Sequence, residues 1–95
     1  MEPGIQLEAL RDLADRLALE IDTVDLSHDE FSARSGYCKL KGRHLLLLDR
    51  KLLPEEQVEI IFRALQHFDL ETIYVPAWIR ERWERDKNET VETDP

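Results

Sequence analysis

Along residues 5–20 apolar side chains return at spacings of three and four. Leu10, Leu13, Ala14, Leu17, Ala18 and Ile21 fall on one side, and Glu8, Arg11, Asp12, Asp15 and Arg16 on the other. That is the period of a single helical face and predicts an amphipathic helix, with Pro3 and Gly4 at its start. The pattern then shifts toward a period of two in "EIDTVDL", residues 20–26, where Ile21, Thr23 and Asp25 oppose Asp22, Val24 and Leu26. A short edge strand is expected there. "SHDE" at 27–30 fits a capping box, the Ser27 hydroxyl accepting an amide proton three residues on and Glu30 reaching back to the Ser27 amide. A turn of helix ending before Gly36 follows, with Phe31 turned inward and His28 exposed.

"GYCKLKGRHLLLLD", residues 36–49, carries the hairpin signal. Gly42 can adopt the positive φ that a tight turn demands. With Lys41-Gly42 as the loop, Leu40 faces Arg43, Lys39 faces His44 and Cys38 faces Leu45. Cys38, Leu45 and Leu47 then share one face, and Tyr37, Leu46 and Leu48 the other. The unbroken leucine run predicts a central strand covered on both sides, with the Cys38 thiol packed in the core as a small hydrophobe. His44 is expected at the hairpin surface.

In "PEEQVEIIFRALQHFD", residues 54–69, Pro54 suits a first helical turn, and Glu55 and Glu56 lie where the helix dipole favours acids. Val58, Ile61, Phe62, Leu65 and Phe68 form the inward stripe. Ile60 and Ala64 lie off it and offer a second contact surface. "ETIYV" at 71–75 reads as another short strand, halted by Pro76. "PAWIRERWERDK" then reads as a helix with i,i+4 pairs Arg80–Glu84, Glu81–Arg85 and Arg82–Asp86, each worth a few tenths of a kcal/mol. The expected architecture is α+β, in the order α-β-β-β-α-β-α: a mostly antiparallel sheet with a central hairpin and three main helices packed on it. Residues 1–87 form one domain, and the acidic, aperiodic residues 88–95 a flexible tail.

Ninety-five residues with 42 % apolar and 36 % charged content suit one modest core in a highly charged globule. No apolar run nears the roughly 20 residues that cross a bilayer, and the acidic N-terminus lacks a signal-peptide pattern. Cys38 is the only cysteine, so no internal disulfide forms. Together these features point to a reducing, cytoplasmic setting without membrane partners. The net charge of −8 is uneven: residues 34–51 carry six bases against one acid, between two acidic flanks.

The order of elements in "GYCKLKGRHLLLLDRKLLPEEQ" and the helix after it resembles the zincin-like domain of ImmA/IrrE-type metallopeptidases. In that family a helix leads into a small sheet, a hairpin with a Gly-containing turn, and a helix bearing H-E-x-x-H. The likeness covers residues 7–68. The matching window here is Arg63-Ala64-Leu65-Gln66-His67, in which only His67 fits. A catalytic zinc needs three protein ligands and an open position, and hydrolysis needs a carboxylate base. Arg63 repels a cation and Ala64 cannot take a proton. The resemblance therefore implies a zincin-like frame without its catalytic centre, with His67 structural.

Elsewhere Cys38, His28, His44 and His67 have no finger-like spacing, alternation turns Lys39 and Lys41 away from Cys38, and the three glycines are too scattered for a phosphate loop. No catalytic residue, metal or cofactor is expected. The candidate interaction surface comprises the basic hairpin residues Lys39, Lys41 and Arg43 with the apolar Ile60, Trp78 and Trp83, whose area exceeds what one small core covers. The expected function is a non-catalytic module that self-associates, as a homodimer, or docks another protein. The alternatives are a metal-dependent hydrolase-like domain with an atypical or degenerate site, and nucleic-acid binding through the hairpin, which the charge of −8 disfavours.

Overall fold

The computed structural model describes residues 1–26 and 35–93. The capping box and His28 lie outside them. Helix α1 (Pro3–Arg16) is followed by strand β1 (Leu19–Val24), the hairpin of β2 (Gly36–Leu40) and β3 (Arg43–Asp49), and helices α2 (Pro54–Leu65) and α3 (Ala77–Thr93). The α+β class is as expected. The sheet has three strands in the order β1-β3-β2, so the leucine run is central. It is mixed: β1 runs parallel to β3, and β2 antiparallel.

The hairpin has the expected register, with Leu40 opposite Arg43, Lys39 opposite His44 and Cys38 opposite Leu45. Lys41 and Gly42 both take positive φ, 52° and 79°, as the two central residues of a type I′ turn must. Helix α1 stops at Arg16, and Ala18, two residues on, swings to φ 58°. That left-handed residue breaks the helix period and reverses the chain into β1, which carries Leu19, Ile21 and Thr23 on its helix-facing side.

The core lies between the sheet and the helices, with Leu10, Leu13, Leu46, Leu48, Ile61 and Leu65 fully buried. Helix α2 is its hub and touches α1, α3, β2 and β3. That explains Ala64, which is buried although it lies off the main stripe. Glu56 closes the start of α2 by accepting a hydrogen bond from the Leu53 amide at 3.0 Å. Gln57 is buried but satisfied, donating to the Leu52 carbonyl at 3.0 Å.

The sequence differs from the structure in two elements. "ETIYV" has strand composition but joins no ladder. Arginine side chains bond carbonyls within it and beside it instead: Arg80 donates to Ile73 and to the preceding Leu70, both at 2.9 Å, and Arg16 donates to Tyr74 at 3.0 Å. Strand pairing would compete for those acceptors, so the segment is held as an irregular connection. Arg80 is thereby committed to carbonyls rather than to Glu84. Helix α3 continues to Thr93, through residues whose acidity predicts a tail. No Gly or Pro stands between Pro76 and Pro95 to stop it.

Candidate interaction surface

The described helices cover only one face of the sheet. Alternation places Ile21, Tyr37, Leu46 and Leu48 toward them, and all four belong to the core or pack against it. On the opposite face Leu45 and Leu47 are half-buried and stand apart from the core cluster, while Leu40 is 60 % exposed. Cys38 is on this face too, and its thiol is exposed. The expectation of a leucine strand covered on both sides, with the thiol in the core, is therefore corrected: one layer of helices covers one face, and no described element packs on the other.

This open face has a charged margin. Glu20 and Asp22 of β1 stand beside Leu45 and Leu47 of β3. Together with Leu40, Lys41 and Arg43 they line a shallow hollow of about 180 Å³ around Leu45. Arg43 donates to the Glu20 carboxylate through Nη2 and also through Nε at 3.1 Å. At the far end of the sheet Lys51 lies 3.9 Å from Asp25. The basic middle of the sequence is thus matched at both ends of the sheet by acids of β1 or the residue after it, which weakens any positive field that the hairpin alone would project. Asp22 and Lys41 form no ion pair among the described residues. Lys39, in register with His44, is exposed on the helix-facing side.

The apolar residues expected at the surface occupy different places. Trp83 is 2 % exposed and donates its indole N–H to the Leu65 carbonyl at 3.0 Å, which makes it a core residue. The period of α3 places Ile79 and Trp83 together, and both fill the space against α2. Trp78 is half-buried, its ring edge-on to Phe62 at 6.2 Å, and Ile60 is partly buried against the core. Neither Trp is spare apolar surface. Arg82 spans the same region: its guanidinium sits 4.7 Å above the Phe62 ring and binds Glu59 at 2.7 and 2.9 Å and Asp86 at 2.8 and 3.0 Å. Hydrogen bonds from Arg82 hold the Glu59 carboxyl below its ordinary range, partly opposed by burial.

His67 and His44 converge on Tyr37. The His67 ring, just past the end of α2, stacks on Tyr37 at 4.1 Å, and the Tyr37 hydroxyl and His44 Nδ1 are 2.6 Å apart. Phe68 closes the group, 4.7 Å from His44. His44 is therefore half-buried in an aromatic cluster rather than at the hairpin surface. Cys38 points to the other face of the sheet and cannot join the two imidazoles. In the window that aligns with H-E-x-x-H, Arg63 is exposed, Ala64 is buried and His67 lies against tyrosine. Among the described residues no three His, Cys, Asp or Glu side chains are grouped to hold a metal ion. No described helix is long and apolar enough to cross a membrane.

The open face was missed in the sequence because four consecutive leucines look the same whether one or both sides of a strand are covered. The alternation of Glu20 and Asp22 with Leu19 and Ile21 in the neighbouring strand was the available signal. It marks one polar face, and the register extends that face to Leu45 and Leu47. No protein family, curated protein or solved structure matches the chain.

Proposed function

We propose that this protein is a non-catalytic protein-interaction module of the reducing cytoplasm, and that it engages a protein partner through the open face of its sheet. The observation that supports this reading most is the group Leu40, Leu45 and Leu47, apolar side chains outside the core on a face that no described element covers. Contiguous exposed apolar surface on a small domain marks an interaction site, and the charged margin supplies a polar rim of the kind interfaces carry. The exposed single thiol of Cys38 suits a compartment that keeps thiols reduced.

Cys38 also provides the test, since it is the only cysteine and lies within the face. A maleimide photo-crosslinker at Cys38 should give discrete adducts in reducing cell extract. Leu45→Lys should abolish them and Arg63→Glu, on the exposed side of α2, should leave them intact. The reading fails if the yield matches that of the same probe at an unrelated exposed position, placed by Cys38→Ser with Glu8→Cys.

A further inference from the structure

We infer that the partner on the open face is a second copy of this chain, stacked sheet on sheet with the strands crossed near a right angle. The inference rests on the proposed function and identifies the occupant by charge complementarity. Leu45 is the centre of the face. Arg43 and Leu47 flank it along β3, each about 6.8 Å away at two residues of rise, and Glu20 and Cys38 flank it across the sheet at about 4.8 Å. The two spacings are close enough for the two directions to be exchanged.

A symmetric pair of facing sheets needs a two-fold axis lying in the plane between them. With the axis across the strands, the acids of β1 meet the acids of the partner's β1. With the axis along the strands, Arg43 meets the partner's Arg43. Of the two diagonal axes through Leu45, one sets Glu20 over the partner's Leu47 and buries a charge against leucine. The other is complementary throughout. Glu20 falls beside the partner's Arg43, Asp22 beside its Leu40–Lys41 corner, Leu47 beside its Cys38, and Leu45 meets Leu45. Each contact off the axis occurs twice, as an isologous interface requires, while the Leu45 pair lies on the axis, and the crossing angle is that of orthogonal sheet packing. Asp22 and Lys41, which have no ion-pair partner among the described residues of one chain, gain one in the pair. Three strands of five to seven residues give a face of roughly 15 by 20 Å, below the roughly 800 Å² per partner of a standard interface, so the dimer is concentration-dependent, and its charge pairs make it weaken with salt.

Sedimentation velocity on the full chain, across concentration and at low and high salt, tests this. The wild type should show a monomer–dimer equilibrium, and Leu45→Lys should be monomeric throughout. Asp22→Lys and Lys41→Glu should each weaken dimerisation at least tenfold, because each sets like charges together in its own homodimer. An equimolar mixture of the two should recover association, since the mixed pair matches opposite charges at both contacts. Circular dichroism verifies that each variant is folded. A mixture no tighter than either variant alone overturns the crossed arrangement. A wild type that stays monomeric at millimolar concentration and low salt overturns the second copy as partner, while the Cys38 crosslinks decide separately whether the face binds another protein. A dimer unaffected by Leu45→Lys overturns the inference by placing self-association on another surface.

Discussion

Trp83 gives the most direct test of how the helices are held. Its indole is 2 % exposed, lies between α3 and α2, and donates to the Leu65 carbonyl at 3.0 Å. Trp83→Phe keeps most of the apolar volume but removes that donor, leaving a carbonyl in the last turn of α2 one partner short. The net loss is about 1 kcal/mol for the hydrogen bond, with a further ~1 kcal/mol for the part of the ring not replaced. Trp83→Ala opens a cavity as well and should cost about 3–5 kcal/mol. A 95-residue domain has roughly 5–14 kcal/mol in total, so the alanine variant loses a large share of its stability. The phenylalanine variant should melt roughly 8–16 °C lower. Urea titrations followed by far-ultraviolet circular dichroism measure both, and Trp78 remains as a fluorescent reporter of the same transition. If Trp83→Ala lowered stability by under about 1 kcal/mol with an unchanged denaturant slope, Trp83 would belong to the surface, and the packing of α3 on α2 would be wrong.

Four further outcomes follow from local geometry. Ala18→Gly should stabilise the fold by about 0.5–1 kcal/mol, because φ 58° just past the end of α1 is a left-handed position that glycine occupies without steric cost; an unchanged urea midpoint would argue against that backbone. Gly42→Ala should destabilise by about 1 kcal/mol through φ 79° alone, since an added Cβ meets nothing within 4 Å. Tyr37→Phe should cost about 1 kcal/mol by removing the half-buried bond to His44, and a wild-type melting curve would show that the bond contributes nothing. Glu59 has a lower pKa folded than unfolded because of Arg82, so its contribution is complete above the ordinary value near 4.5 and is lost as pH falls through the folded value. Glu59→Gln should therefore flatten the acid limb of stability against pH below about 5, and an identical limb in both proteins would remove Glu59 as its source.

Where the sequence was legible, a local rule and the tertiary packing agreed. The hairpin register followed from one turn residue and alternation, because positive φ at Gly42 fixes which residues can face each other. The α2 stripe and the centrality of β3 were readable for similar reasons. "ETIYV" was not, since its fate depends on whether Arg80, seven residues on from Ile73, and the distant Arg16 take its carbonyls in place of a neighbouring strand. The exposed thiol and the core position of Trp83 were hidden in the same way: periodicity says which residues share a face, but not which face another element covers.

By itself the sequence determined the existence and starts of the three main helices, the hairpin, the charge distribution and the absence of the zinc-ligand pattern. All of these are set by interactions within a few residues or by residue identity. Only the tertiary structure decided that no described element covers one sheet face, that Glu20 of β1 pairs with Arg43 of the hairpin, and that two histidines meet on Tyr37. The acid–base match depends on the parallel pairing of β1 with β3, and the histidine cluster on the docking of the end of α2 against the hairpin; both bring together segments more than twenty residues apart, which no local pattern records.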